Sequence, residues 1–471
     1  MNRAFGLIIA VTVAAMGCGD NGAHRGLTSD QLLARLRALP NVKVDLGTSD
    51  DPDVQYFILH FTQPVDHDDP SLGTFQQEVS LLHRSTAESV PMVVQTSGYA
   101  DTKGAEQVEL TKLLAGNQAA IEHRYFGTSR PDPMDWTRLT IKQMATDEHE
   151  IIQALRTIYD GAFITTGVSK GGMTAMYHRR WYPDDVEGTV SYVAPLSFGA
   201  PDKRYADFLA DMVGPIGCRQ AVRDIATEML AHRRDMIIAR ALADAQADAT
   251  HPHTYTQIAI GAAVESAIVS LEWTFWQFHG VDQCMQVPLV TASDDDVYMF
   301  LDHVSPVSDC DDDDVDEFKP YYYQSYTQLG YPDGGYDYLA PYRQYTDADY
   351  VNELPAVAAP YDNGAAMRDI DDFVEHRANH LLFIYGEWDP WTGGKFALGD
   401  AADSALLLQP HGTHSSWITD LELSDRQEAF AKLEAWTGVV PMVSRVQQAS
   451  VAPEMLPRVP PVLGHALHSG K

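Results

Sequence analysis

The residues with the clearest chemical potential lie in Ala162–Trp181, AFITTGVSKGGMTAMYHRRW. A strand-like run, Ala162–Thr166, turns abruptly at Gly167-Val168-Ser169-Lys170-Gly171. It continues as a helical pattern through Met173, Met176, Tyr177 and Arg180. A strand, a glycine-flanked serine and a helix are the context of a G-x-S-x-G nucleophile elbow. On such a turn the serine sits in a strained backbone conformation with its hydroxyl pushed out of the sheet. Gly167 and Gly171 are required because a side chain at either would collide with the neighbouring strand and helix. Gly172 adds a further position of close approach. A glycine-rich turn that merely packs carries the same letters, so the reading depends on partners for Ser169 elsewhere in the chain.

A serine hydroxyl is a poor nucleophile until a base takes its proton, and the base works best when a carboxylate holds its tautomer. With this kind of elbow the order along the chain is serine, then acid, then histidine. The strand-like run Leu381–Tyr385 leads into Gly386-Glu387-Trp388-Asp389-Pro390-Trp391. Asp389 stands at the strand's C-terminal end, where parallel sheets build their sites. It is favoured over Glu387 because Pro390 fixes the turn after it. The bland alternative is that both acids cap the Gly393-Gly394 segment. Ala405–Leu408 leads into Gln409-Pro410-His411-Gly412-Thr413-His414-Ser415-Ser416. His414, deeper in that loop, is favoured as the base, with His411 as its competitor. A tetrahedral oxyanion needs two aimed N–H donors. The backbone of Lys170 supplies one, and Gly98 or Tyr99, after the run Val90–Thr96, supplies the other. His251 and His253 could bind a metal but lack matching ligands. The run Asp311–Asp314 reads as a solvated loop, with a calcium site as the weaker alternative. No metal and no cofactor are expected.

The elements that position these residues follow from periodicity. Leu27–Leu39 is helical. Val54–Phe61 and Thr74–His83 form an antiparallel hairpin at a sheet edge. Val90–Thr96, Asn117–Glu122, Ala162–Thr166 and Val190–Val193 are strands, with helices over Gln107–Leu114 and Ile141–Tyr159 between them. This alternation implies a parallel sheet covered on both faces. After Pro195 the pattern changes. Ala206–Leu242 and Gln257–Phe278 are helical, and Asp294–Tyr350 is acidic and tyrosine-rich. Strands resume at His380–Tyr385 and Ala405–Leu408, followed by a helix over Ser424–Thr437. The expected organisation is a leader over 1–18, a core over 19–196 and 376–438, an inserted helical cap over 197–375, and a proline-rich tail over 439–471.

The chain has 471 residues, 45% of them hydrophobic and 10% aromatic, enough for a sizeable core. Acidic residues outnumber basic ones 66 to 33, for a formal charge of −33. Such a surface repels phosphate backbones and argues against nucleic-acid partners. It would draw cationic groups such as a free amino terminus. Residues 1–18, MNRAFGLIIAVTVAAMGC, have a positive start and a short apolar run, as an export signal does. Ala15-Met16-Gly17-Cys18 resembles a lipobox, in which Cys18 would be lipidated and anchor the protein to a membrane; a plainly cleaved signal is the alternative. Three further cysteines, Cys218, Cys284 and Cys310, allow one disulfide in an exported chain. Cys218–Cys284 is the preferred pair.

The segments FILHFTQPVDH (Phe57–His67), GTF (Gly73–Phe75), EHRYFGTSRP (Glu122–Pro131), GVSKGGMTA (Gly167–Ala175) and YGEWDPW (Tyr385–Trp391) together resemble the bacterial secreted tripeptidyl aminopeptidases. These are serine exopeptidases distantly similar to the prolyl carboxypeptidase and dipeptidyl peptidase lineage. The resemblance runs from about Phe57 to about Trp436, with TFWQF (Thr274–Phe278) and YTQLGY (Tyr326–Tyr331) inside it. It implies an α/β-hydrolase core with an inserted, mainly helical cap. It also implies a Ser169–Asp389–His414 triad and release of short peptides, typically tripeptides, from substrates with free N-termini. The histidine loop departs from the family's usual glycine-rich lead-in, which keeps His411 open. An exopeptidase needs a carboxylate for the substrate's ammonium. Glu122, Glu272 and Glu387 are the candidates, since each adjoins a motif expected near the cleft. Glu122 could instead pair with Arg124 or Arg130 to brace the core, and Glu272 could be a cap surface residue. The alternative functions are a carboxylic ester hydrolase with the same triad and a non-catalytic peptide-binding surface lipoprotein.

Overall fold

A computed structural model describes residues 26–101, 104–247, 252–357 and 359–448. Cys18 and the leader, His251, and the tail from residue 449 lie outside the described residues.

One nine-stranded sheet organises the chain, in the order β1-β2-β3-β5-β4-β6-β7-β8-β9. Its strands are β1 (Val42–Leu46), β2 (Gln55–Pro64), β3 (Thr74–His83), β4 (Met92–Thr96), β5 (Asn117–Ile121), β6 (Phe163–Val168), β7 (Gly188–Tyr192), β8 (Leu381–Gly386) and β9 (Ala405–Gln409). β1, β2, β3 and β5 pair antiparallel, and β5, β4, β6, β7, β8 and β9 run parallel. The parallel strands β7 and β8 are buried at every position, as strands covered on both faces must be. β2 and β3 form the expected hairpin, but the edge of the sheet is β1. Its five residues, VKVDL, are only half-buried or exposed, which leaves little hydrophobic signal to read.

Helices α1 (Ser29–Ala38), α2 (Glu109–Leu114), α3 (Ile141–Arg156) and α4 (Lys170–Trp181) belong to the first half of the sheet. Thr28 and Gln31 close a reciprocal capping box that starts α1. α1 and α3 pack on one face through Leu36, Ile151 and Ile152, against Phe57, Leu81, Val94 and Phe163. α2 covers the other face through Leu110 and Leu113, against Val93, Ile164 and Val190.

Between β7 and β8 stand α5 (Arg204–Asp211), α6 (Ile216–Glu228), α7 (Arg234–Ala247), α8 (Ile260–Thr274), α9 (Asp294–Val304) and α10 (Asp312–Gln324). They build a second core of their own around Val222, Ile225, Val264, Ile268, Trp273 and Trp276. A disulfide joins Cys218 to Cys284 at its edge, and Cys310 is a buried free thiol. The helix expected over Ala206–Leu242 is interrupted at Gly214, whose φ of +60° and close approach to the Trp276 ring demand glycine, and at Pro215. Three π turns, Met229–Arg233, Phe275–His279 and Ser325–Leu329, extend helices in this region.

Three expectations need correction. The Asp311–Asp314 run is not a solvated loop: Asp311 accepts the Asp314 N–H at 2.8 Å as the N-cap of α10, and Asp312 accepts the Thr256 and Gln257 N–H groups at 2.9 and 2.8 Å. No group of three or more His, Cys, Asp or Glu arranged for a metal exists among the described residues. α11 (Ala365–His376) was expected in the cap, yet Met367, Ile370 and Phe373 pack with Met173, Met176 and Tyr177 of α4. The helical insertion therefore ends before Ala365. Finally, α12 (Leu423–Thr437) covers the β9 end of the sheet, and the tail begins as a helix, α13 (Val443–Gln448), whose Arg445 donates to Leu113 O at 2.8 Å. No helix among the described residues is long and apolar enough to cross a membrane.

Candidate active site

β6 ends at the elbow. Ser169 has φ 55° and ψ −122°, a conformation side chains rarely adopt, and its N–H is held by Tyr192 O at 2.8 Å. The glycines permit it. A Cβ on Gly167 would lie 2.3 Å from the Gly171 carbonyl carbon, and one on Gly171 would lie 2.5 Å from Thr96 O. Ser169 is 5% exposed, at the base of a cleft walled by Tyr99, Met173, Ser197, Tyr321, Leu329 and Trp391.

β7, β8 and β9 are the next strands across the sheet, so the loops after β8 and β9 rim the same C-terminal edge. Asp389 and His414 meet there, with His414 Nδ1 at 2.7 Å from Asp389 Oδ2. Both are buried, and Asp389 also accepts the Trp391 N–H at 3.1 Å. An Nδ1–H donated to the carboxylate leaves Nε2 as the bare acceptor, and Nε2 has no hydrogen-bond partner among the described residues. The ring is flanked by Phe278 and Trp391, each 6.1 Å away between centroids, and its backbone N–H donates to Gln277 O at 2.8 Å. Trp391 thus borders both the imidazole and the Ser169 cleft.

His411 and Glu387 engage each other instead. The His411 N–H donates to Glu387 Oε2 at 2.8 Å, and its exposed ring stacks on Trp388 at 4.0 Å.

Lys170 opens α4, and its backbone N–H makes no hydrogen bond among the described residues, as expected for a first-turn donor. Its side chain is buried, donates to Gly98 O at 2.5 Å and lies over the Tyr99 and Phe126 rings. Burial pushes the ammonium well below its usual pKa, and Glu148 opposes that shift. Gly98 admits no side chain, because a Cβ would lie 2.7 Å from Gly171 N. Of the two loop donors considered, Tyr99 is ruled out: its N–H already donates to Ser97 Oγ at 3.0 Å. The Gly98 N–H remains.

The carboxylates proposed for a substrate amine are all occupied. Glu122 is fully buried and accepts from Asp101 N, Thr128 N and Ser129 N at 3.0, 2.8 and 2.9 Å and from Ser129 Oγ at 2.7 Å. It shapes the turn at 122–129 and does not pair with Arg124, which bonds Asp147 at 2.6 and 2.7 Å. Glu272 is not a surface residue. It is buried against Arg223 Nε at 2.8 and 2.9 Å, and burial pushes its pKa up to about 7 despite that partner. Two contributors went unread in the sequence. The Gln277 carbonyl that holds the histidine loop lies within the TFWQF segment, but nothing in those letters links it to His414. Ser97, which orients the Gly98–Tyr99 peptide, had only its place beside Gly98 to mark it.

A mostly parallel sheet with a serine elbow after β6 and a buried acid–imidazole couple after β8 and β9 defines a serine hydrolase of the α/β-hydrolase fold. The chain belongs to the PS-10 peptidase S37 family, whose model matches residues 32–459. It is similar to the prolyl tri/tetrapeptidyl aminopeptidase of Streptomyces mobaraensis, at 35% identity over 459 residues, covering 95% of this chain and 94% of that one. The lysosomal Pro-X carboxypeptidase of Mus musculus is 28% identical over 188 residues, covering 34% of this chain and 37% of that one. Among solved structures, acetyl xylan esterase 1 from Thermoanaerobacterium sp. JW/SL YS485 is similar with a TM-score of 0.39 and 11% identity, covering 86% of this chain and 92% of that one.

Proposed function

We propose that this protein is a serine aminopeptidase that releases tri- or tetrapeptides from free N-termini, cutting after a prolyl residue. The observation that carries the reading is the buried Asp389–His414 couple with Nε2 unpartnered, its ring beside the Trp391 that also walls the Ser169 cleft. The end-to-end similarity to a prolyl tri/tetrapeptidyl aminopeptidase supports the substrate class.

In this reading Ser169 Oγ attacks the scissile carbonyl while His414 Nε2 accepts its proton. Asp389 holds the tautomer and stabilises the imidazolium. The Lys170 and Gly98 N–H groups receive the oxyanion, each worth about 10²–10³ in kcat. His414 then protonates the departing amine. Water, activated by the same imidazole, releases the short peptide from the acyl-enzyme. No step uses a cofactor.

The test compares wild type with Ser169→Ala on fluorogenic prolyl di-, tri- and tetrapeptide amides, each with a free or acetylated N-terminus. Cleavage of free tri- or tetrapeptide amides, lost in Ser169→Ala, is expected. Equal cleavage of acetylated peptides would point to an endopeptidase, and activity confined to short nitrophenyl esters would point to an ester hydrolase.

We further propose that the chain is exported and carries a lipid on Cys18. The basic, apolar leader and the joined pair Cys218–Cys284 support export. Cys18→Ser is expected to move the protein from the membrane to the soluble fraction; unchanged membrane partition would overturn the anchor.

A further inference from the structure

We infer that Glu353 receives the N-terminal ammonium of the peptide substrate. This inference rests on the aminopeptidase reading above.

A free amino terminus is recognised by an opposite charge that has no other partner. Among the described residues, thirteen Asp or Glu side chains are buried. Most are saturated: Glu265, for example, binds Arg234 at 2.7 Å, and Glu109 accepts from Thr419 and Ile418. Among the described residues, only the side chains of Glu148 and Glu353 in this set make no hydrogen bond or ion pair. Glu148 lies on α3 beside Asp147, and the Lys170 ammonium already acts on it. Glu353 has no arginine, lysine or histidine acting on it. It is 3% exposed, at the end of the short turn Val351–Glu353. A buried, unpaired carboxylate is costly, and a cationic occupant removes that cost.

Its place in the fold suits a substrate terminus. Leu354, the next residue, packs with Tyr99, Phe126, Tyr321 and Tyr322, and Tyr99 and Tyr321 wall the Ser169 cleft. Glu353 neighbours Tyr322 and the Cys310 thiol, and burial raises its own carboxyl well above the ordinary carboxylate range. Cys310 in turn faces Ser266 of α8.

From that point α8 leads back to the chemistry. Ser270 and Gln277 are each at most 2% exposed, and Ser270 Oγ and Gln277 Nε2 have no hydrogen-bond partner among the described residues. Gln277 is the residue whose carbonyl holds the His414 loop. On α10, Gln324 is fully buried with both amide atoms unpartnered, three residues past Tyr321. Leaving such groups unpaired costs about 1–3 kcal/mol each, and an extended peptide backbone offers the donors and acceptors they lack.

The experiment measures steady-state kinetics of Glu353→Gln on prolyl tripeptide amides with free and acetylated N-termini, alongside the rate at which a fluorophosphonate labels Ser169. We expect KM for the free-amine substrate to rise at least 30-fold, with kcat within threefold, and the labelling rate and the slow cleavage of acetylated substrate to stay unchanged. A KM within twofold of wild type, with normal labelling, overturns the inference. Wild type that cleaves free and acetylated substrates equally overturns the aminopeptidase reading and this inference with it. Wild type that demands a free amine, with Glu353→Gln unaffected, overturns this inference alone. Should Glu353→Gln fail to label, Glu353→Asp carries the test. It keeps the charge but withdraws it by one methylene, so KM should rise five- to tenfold for free-amine substrates only, and an unchanged KM overturns the inference.

Discussion

His411 and His414 stand three residues apart in one loop and have opposite surroundings. His411 is exposed and stacked on Trp388, whereas His414 is buried with Nδ1 on Asp389 and Nε2 bare. His414→Ala should therefore lower kcat by about 10⁴ or more, as loss of a triad base does. His411→Ala should leave kcat/KM within threefold. Measuring both variants on one tripeptide amide checks the pair, and a reversed ranking would make His411 the base. Chain order and the strand before each loop pointed to Asp389 and His414 from the sequence. The reason the second histidine turns inward was not legible, because the Gln277 carbonyl that holds its N–H comes from a cap helix more than a hundred residues earlier. The same holds for the substrate carboxylate. Glu122, Glu272 and Glu387 adjoin conspicuous motifs, yet each has its partners in the fold, while Glu353 sits in an unremarked YVNELP stretch. Burial without a partner is a property of packing, and no spacing rule records it.

At the scale of elements, the elbow and the loop after β4 fit against each other through glycines. Gly98 lies where a Cβ would meet Gly171 N at 2.7 Å and the Lys170 Cβ at 2.8 Å, and backbone at that distance cannot swing aside. Gly98→Ala should push the loop off the elbow and misaim its N–H. The expected result is a fall in kcat of about 10² or more, the size of one lost oxyanion donor, with KM changed less than kcat. A variant with kcat within threefold would place the second donor elsewhere. Strands of the parallel sheet were legible because each is a short apolar run followed by a turn and a helix. β1 was not, since an edge strand with one half-solvated face carries almost no pattern. The helical insertion was legible as a change in style but not in its internal breaks. Gly214-Pro215 and the three π turns are set by contacts such as Trp276 against Gly214.

Among the described residues the sheet and the helical insertion are packed separately and one disulfide clamps the insertion, so stability should respond to acid and to reductant in distinct ways. Acid acts on the sheet. His83, 5% exposed at the end of β3 beside Tyr159, has its pKa pushed by burial from 6.5 down to about 4. The unfolded chain then binds a proton that the folded chain refuses. That contribution to stability is fully present above pH 6.5 and is lost as pH falls toward 4, by about 3 kcal/mol at most. Urea unfolding of His83→Phe should show a smaller drop between pH 7 and pH 4.5 than wild type, and parallel drops would remove His83 from the account. Reductant acts on the cap. The Cys218–Cys284 bridge spans 66 residues and ties α6 to the segment just past the π turn Phe275–His279. Closing a loop of that length limits the unfolded chain by about 4 kcal/mol. That π turn carries Gln277, whose carbonyl holds the His414 loop, so the bridge and the imidazole belong to one mechanical unit. Cys218→Ser/Cys284→Ser should lower the urea midpoint of the cap, followed through the buried Trp273 and Trp276, and should shorten the half-life of activity at a fixed temperature by the same ordering of conditions. If the cap midpoint falls while the half-life of activity holds, the cap edge is dispensable to the histidine loop, and Asp389 alone keeps the imidazole in place.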